Sequence, residues 1–532
     1  MAFGAHQDLI LLAFLVALAA LLVLAPILRT PYPILLVLGG LALGFVPGIP
    51  NVALPPDLVL VAILPPLLYS TAFYTSLRDL RANVRPISLL AIGLVAATTV
   101  IVAVVGHAVI PGLGWGPAFV LGAVVSPTDP IAATAIARRL GIPRRIVTIV
   151  EGESLINDGT ALVLYKVAIG AVVSGSFSLF DAGWRFVANV IGGIGVGLIA
   201  GYLIAAVRRR LDNPPVEVTI ALLTGYFAFL PASALGVSGV LAVVTAGVYM
   251  GWRTPELTSV QTRLDGAAMW QILTFVVNAL VFALVGLQLP RIVDALSGRS
   301  SGELLGYAAL VSAVVVVIRA AWVFPFVRLP RRLMWPQLGP HEPQPSGRGA
   351  AAISWMGMRG AVSLAAALAI PLRTDAGDPF PDRPLIIFLT FAVIIATLVL
   401  QGLSLPLVLN ALGLEDDGLD AKEEAKARIH AANAALARLE ELLAEDWVRE
   451  DTAERLRGLY GFRKSRFSER FDADGDGSLE EQSVSYQRLR RELLDAERAA
   501  VWELRRQGRI NDDVMYRVTR DLDFEDARLD AV

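Results

Sequence analysis

Between Gly122 and Tyr165 the sequence carries Asp129, Glu151, Glu153, Asn157 and Asp158 inside two apolar segments of helix length. Ionisable side chains cost roughly 2.5 to 3.5 kcal/mol each at mid-bilayer on insertion scales, so at that depth they are functional candidates. At about 100° per residue, Glu153 and Asn157 stack on one face of the second segment, and Ser154 and Asp158 on the adjacent face. A hydroxyl and a carboxylate one turn apart suit a hard cation, which prefers oxygen ligands. The bland alternative makes Ser154, Asn157 and Asp158 interhelical glue, but four polar groups within six residues exceed what glue requires.

Asp129 lies in Ser126-Pro127-Thr128-Asp129-Pro130. Two prolines three residues apart remove two backbone donors and disfavour helical geometry at Ser126 and Asp129, so the spacing predicts a helix broken at membrane depth. Such a break survives only when buried in protein or lining a wet cavity. Asp129 has two open roles, an N-cap with Pro130 at the first helical position and direct contact with an ion, and both can hold. Glu151 is expected nearer the cytoplasmic entrance, in a funnel or as a cap.

A second interruption is expected around Arg359, which Gly357 and Gly360 flank in Trp355-Met356-Gly357-Met358-Arg359-Gly360-Ala361. A buried guanidinium needs a carboxylate, and Glu153 is the expected partner in a structural Glu153 to Arg359 pair. Arg319 is expected to be structural, with Glu217 as its candidate partner. Lys166 is expected to snorkel to the outer interface.

These residues need a scaffold, and composition supplies it. The 532 residues are 55% hydrophobic with mean hydropathy +0.61, and apolar runs of about 20 residues recur through the first four-fifths. Residues 1 to 410 hold 25 basic and 18 acidic side chains, a net +7, while residues 411 to 532 hold 21 and 30, a net −9. With no Cys, and with four His far apart in sequence and without metal-ligand spacing, zinc and thiol enzymes are not expected. The fold class follows: an all-α polytopic membrane protein of about 13 transmembrane helices, with residues 1–411 as the membrane domain and 412–532 as a helical cytoplasmic tail. The first run, Leu9 to Leu28, is expected to be a retained span and not a cleaved signal. An outside N-terminus puts 17 Arg on the cytoplasmic side against five outside, as the positive-inside rule prefers.

The two interruptions fall in the fifth and twelfth spans. Spans 1 to 6 and 8 to 13 would form two inverted six-helix repeats, with the seventh (about 183 to 207) as connector. Paired interruptions of this kind point to a midplane transport site with broken crossing helices.

At these residues the chain resembles the monovalent cation:proton antiporter-1 family, the bacterial Na+/H+ exchangers and their animal relatives. The motifs that carry the resemblance are Leu64-Pro65-Pro66-Leu67-Leu68-Tyr69, Ser126-Pro127-Thr128-Asp129-Pro130, Glu153-Ser154-Leu155-Ile156-Asn157-Asp158 and Met358-Arg359-Gly360-Ala361-Val362-Ser363-Leu364. Asn278 and the Val285-to-Leu289 run extend it over residues 8 to 410. The resemblance implies a homodimer and ion ligation by Asp158, Ser154, Thr128 and Asp129, with Asn157 beside them. It implies core helices (about 86–173 and 303–411) moving against dimer helices (about 8–75 and 215–289), and electroneutral exchange. Many bacterial relatives carry an acidic residue where this chain has Tyr69-Ser70-Thr71, which leaves open a ligand from the third span.

The expected function is therefore electroneutral Na+ (or Li+ or K+)/H+ antiport by alternating access, with cation and proton competing for Asp158, serving intracellular pH and sodium homeostasis. The protein would be a transporter and no enzyme, in a bacterial plasma membrane, with cations, protons and lipid as partners, no cofactor and no nucleic acid. The alternative is a transport-inactive sensor signalling through the acidic tail. Intramembrane aspartyl proteolysis by Asp129 and Asp158 would lack a Gly-x-Gly-Asp pattern and leave Arg359 and Asn157 without a role. In the tail, Ala421 to Asp446 and Leu479 to Arg506 are expected as helices, the second closing at Gly508 before another starts at Asn511. Asp472, Asp474, Asp476, Ser478 and Glu480 match the first nine places of an EF-hand loop, a candidate Ca2+ site, but Ser483 stands where the bidentate Glu belongs. An acidic Asp-Gly turn is the alternative reading of that loop.

Overall fold

The computed structural model describes residues 5–28, 30–46, 58–175, 179–288, 292–293, 296, 298–328, 346–416, 418–469 and 478–530. Regular structure among them is helical, apart from one isolated antiparallel bridge between Arg373 and Pro379. Among the described residues, seven helices are individually long and apolar enough to cross a bilayer, and shorter apolar helices accompany them. The chain divides into two compact units, Met1–Asp416 and Asp417–Val532.

Two spans of the first unit are interrupted, each for a reason visible in its residues. Helix Trp115–Val125 stops where Pro127 and Pro130 withdraw their donors, and Ile131–Arg139 resumes beyond them. Helix Gly347–Trp355 stops before Gly357, and Ala361–Leu368 resumes after Gly360. The two unwound stretches are tied by the Asp129 N–H, which donates to the Met358 carbonyl at 2.8 Å.

The uninterrupted helix Arg144–Ser174 ends at Gly175, whose φ of +67° closes it in left-handed geometry. Two of the long spans carry a π-helical turn, Leu89–Leu94 and Thr397–Gln401, and a third such turn among the described residues, Leu58–Ile63, leads into helix Leu64–Tyr74. Such turns disturb the usual carbonyl pairing, and the first is met by Trp322 Nε1, which donates to the Leu89 carbonyl at 3.1 Å. The span Arg383–Leu412, which holds the second, is the most enclosed, with 72% of its apolar window buried against 28% for Gly183–Arg208. It therefore forms the wall behind the broken pairs.

The apolar core has two main clusters. One packs Val95–Val109, both broken pairs, Arg144–Ser174, Ser301–Arg328 and Arg383–Ala396, with Leu36 and Val37 and the Ala279 to Val285 stretch against them. The other gathers Leu64–Tyr74, Leu179–Arg208, Pro214–Ala234 and Gly239–Leu257 around Tyr69, Val243, Met250 and Trp270.

The second unit consists of helices Leu419–Leu442, Glu450–Glu469, Ser478–Arg506 and Asp512–Asp530. Gly508 takes φ +67° at the end of the third, and Asn511 Oδ1 caps the fourth by accepting from the Val514 N–H at 2.9 Å. Arg498 clamps these two together, donating to Asp523 and Asp526 at 2.9 Å each. Asp472, Asp474 and Asp476 of the EF-hand-like loop lie outside the described residues, as do the side chains of Ser478 and Glu480.

Helices Tyr32–Gly44 and Val260–Leu287 approach so closely that a Cβ on Gly286 would overlap the Val37 carbonyl oxygen. Gly286→Ala is expected to cost about 1–3 kcal/mol by overpacking, read as a lower thermal midpoint in detergent. Gly306→Ala, which meets open space, should not lower it; equal midpoints for the two variants would refute this packing.

Candidate ion site at the helix crossing

Asp129 emerges from the first break as a cap. Its Oδ1 accepts from the Ile131 N–H at 3.0 Å, so the carboxylate answers the free donors at the start of Ile131–Arg139. The same carboxylate lies against Gly360, at the start of the other second half; a Cβ at that position would overlap it. One acid thus serves the positive ends of two half-helices.

The negative ends are served by arginines. Arg359, 1% exposed, donates from Nε to the Val125 carbonyl at 3.2 Å and from Nη1 to the Gly357 carbonyl. Those carbonyls belong to the terminations of the two first halves. Its own N–H is held by Thr397 Oγ1 at 3.1 Å, on the π-helical turn of the wall span. Arg319 donates from Nε and Nη2 to the Ile353 carbonyl at 3.1 and 3.0 Å.

Glu153 is paired with Arg319, not with Arg359. Arg319 Nη1 meets Glu153 Oε1 at 2.5 Å and Nη2 meets Oε2 at 2.8 Å, with side-chain exposures of 0% and 1%. The expected Glu153 to Arg359 pair is corrected on this geometry, and the cause is steric. Gly357 leaves the space through which the Arg319 side chain passes, since a Cβ there would overlap its Cδ and Nε. Glu217, the expected partner of Arg319, faces Arg208 instead at 3.8 Å, joining the end of Leu179–Arg208 to the start of Pro214–Ala234. Glu151 pairs with Arg138 at 2.7 Å, and Lys166 is exposed.

From Glu153 a hydrogen-bonded network runs inward. Thr128 Oγ1 donates to Glu153 Oε1 at 3.2 Å, Asn157 Nδ2 donates to Thr128 Oγ1 at 2.8 Å, and Ser154 Oγ lies 3.3 Å from Thr128 Oγ1. Thr128, Ser154 and Asn157 are buried, and Asn157 Oδ1 has no hydrogen-bond partner among the described residues. Asp158, one turn beyond Ser154, is 7% exposed and makes no hydrogen bond among the described residues. The structure therefore brings Thr128, Asp129, Glu153, Ser154, Asn157 and Asp158 to one crossing. Sequence reasoning missed Thr397 and misassigned Arg319; the second was visible as an intramembrane cation but carried no spacing to say which acid it would reach.

Removing one member of a buried ion pair strands the other. Arg319→Ala is expected to destabilise the protein by about 3–5 kcal/mol, measured as a drop in thermal midpoint. The double variant Arg319→Met with Glu153→Met should recover most of that loss, and a double variant no more stable than the single one would show that the pair is not the cause.

The family model described as the transmembrane sodium/hydrogen exchanger matches residues 10–411. An uncharacterised Na+/H+ exchanger of Mycobacterium tuberculosis is 38% identical over 530 residues, covering 97% of this chain and 96% of that protein. The sodium, potassium, lithium and rubidium/H+ antiporter of Bacillus subtilis is 35% identical over 389 residues, 71% of this chain and 58% of that protein. In fold the chain is similar to the sodium proton antiporter MjNhaP1 of Methanocaldococcus jannaschii, with TM-score 0.58 and 19% identity, covering 76% of this chain and 99% of that one. By the extent of the family match and the near full-length likeness to its relatives, the chain belongs to the sodium/hydrogen exchanger family.

Proposed function

We propose that the protein exchanges a monovalent cation for a proton, one for one, and that the two compete for Asp158. The observation that carries this reading is the contrast between two buried carboxylates on one helix. Glu153 is neutralised bidentately by Arg319, while Asp158 makes no hydrogen bond among the described residues and has Ser154 one turn away. A desolvated carboxylate beside oxygen ligands can be satisfied by a hard cation or by a proton, and by only one at a time.

Charge supports the stoichiometry. Around the crossing, Arg319 and Arg359 offset Glu153 and Asp129, which leaves Asp158 as one net negative charge. One Na+, Li+, K+ or proton brings the site to neutrality, so a cycle that swaps one for another moves no net charge. The breadth of cations named for the Bacillus subtilis relative supports testing all three metals.

In this reading the helices about 86–173 and 303–411 carry the site and move against those about 8–75 and 215–289 in a homodimer, giving alternating access. The arginine bias supports an outside N-terminus and a cytoplasmic tail in a bacterial plasma membrane. The physiological outcome would be control of cytoplasmic pH and sodium.

The test is cation-driven proton movement in proteoliposomes, with Na+, Li+ and K+ scanned beside Asp158→Asn. The wild type should give a signal insensitive to imposed voltage, and the variant none. Retained exchange in Asp158→Asn, or a current that follows voltage, would overturn the assignment.

A further inference from the structure

We infer that the Arg319–Glu153 pair fixes the hydrogen-bond polarity of the groups around Asp158, so that the free valences they offer an ion are oxygen lone pairs. This rests on the exchange reading and concerns how the same site selects a cation. Glu153 and Arg319 would act as positioning residues that never touch the ion.

A carboxylate held bidentately by a guanidinium is ionised and can only accept. The 3.2 Å bond between Thr128 Oγ1 and Glu153 Oε1 must therefore use the Thr128 proton. A threonine hydroxyl has one proton and two lone pairs. Once the proton is spent, both remaining neighbours of Thr128 Oγ1 must donate to it. Asn157 must turn Nδ2 towards it, at 2.8 Å, and Ser154 must give it the Ser154 hydroxyl proton across 3.3 Å.

Three consequences follow. The Thr128 hydroxyl is saturated, so Thr128 can reach a cation only through its main-chain carbonyl. Asn157 Oδ1, on a fully buried residue, is left accepting nothing among the described residues. Ser154 Oγ keeps lone pairs free but has no proton left to offer. A lone pair at Ser154 can meet Na+ when Asp158 is charged, or the O–H of Asp158 when it is protonated. A donor at the same place would bond the Asp158 carboxylate and compete with both. Reversing the proton on Thr128 would release the Ser154 proton and produce that competing donor.

Glu153→Gln would cut the chain at its source but leaves a buried guanidinium half-paired, which endangers folding. The relay is better cut at Thr128, with Thr128→Val keeping the shape and losing the hydroxyl. Thr128→Ala is measured beside it, so that an unfolded valine variant does not end the test. In sodium-driven proton exchange in proteoliposomes, both are expected to raise the apparent KM for Na+ by about tenfold, the scale of one hydrogen bond, and to lower the maximal rate far less. Thr128→Ser, which restores a hydroxyl with the same proton, should restore the KM.

A wild-type KM in the folded valine or alanine variant overturns the inference, and so does a serine variant as impaired as the others. A wild-type protein that exchanges none of Na+, Li+ or K+ overturns the exchange reading and this inference with it. Normal exchange in the wild type with an unaltered Thr128→Val overturns the polarity alone.

Discussion

Two helices that stop halfway across a membrane bring four sets of unpaired backbone groups to one depth, and the rest of the structure is arranged to answer them. Each helix end carries about half an elementary charge, and an unsatisfied peptide group in hydrocarbon costs several kcal/mol. The two N-terminal ends face one acid, Asp129, which accepts from Ile131 and lies against Gly360. The C-terminal ends face Arg359, on the carbonyls of Val125 and Gly357, and Arg319, on the carbonyl of Ile353. Fixed charges with long reach are required here, because neutral donors such as Ser or Asn would leave the dipoles uncompensated. The glycines at 357 and 360 then have a packing reason, since any side chain would occupy the space of Arg319 or Asp129.

Burying charges to stabilise a break creates a second demand. Arg319 cannot be left with a carbonyl alone, and Glu153 supplies the counter-charge in a bidentate geometry that engages both oxygens and leaves Oε1 a lone pair for Thr128. Such a pair is weak evidence of stability, because desolvation offsets most of its attraction. Its value lies in direction: a carboxylate whose guanidinium is fixed is a fixed acceptor, and Thr128 must orient its proton accordingly. In this way a structural necessity at the crossing reaches the neighbours of Asp158.

What could be read in the residues was whatever short-range geometry decides. Pro127 and Pro130 break the first helix wherever they stand, and a one-turn separation puts Ser154 and Asp158 on one face of any helix. Gly508 and Asn511 likewise end and start tail helices through local backbone preferences. Pairing between helices was not legible in that way. Arg319 and Arg359 were equally visible as cations inside apolar spans, and Glu153 lies 166 positions from the one it meets. The choice is made by the gap at Gly357 and by the Val125 carbonyl that draws Arg359 elsewhere, both products of tertiary packing. The same applies to Glu217, which meets Arg208 across a hairpin of adjacent helices.

The charge balance at the crossing also bears on why the proposed transport would be an exchange and not a leak. With Arg319 and Arg359 offsetting Glu153 and Asp129, the empty site keeps the single charge of Asp158 in surroundings of low dielectric. Carrying an uncompensated charge through such surroundings costs several kcal/mol. A site holding one cation or one proton is neutral and escapes that cost, and a site holding both would carry a positive charge and meet it again. Under the proposed exchange, reorientation would be fast only for the singly loaded forms, so the carrier would return with a proton or with a cation and seldom empty. Coupling of this kind would need no gate that senses the ion; it would follow from a buried carboxylate left over when every other charge at the crossing has been matched.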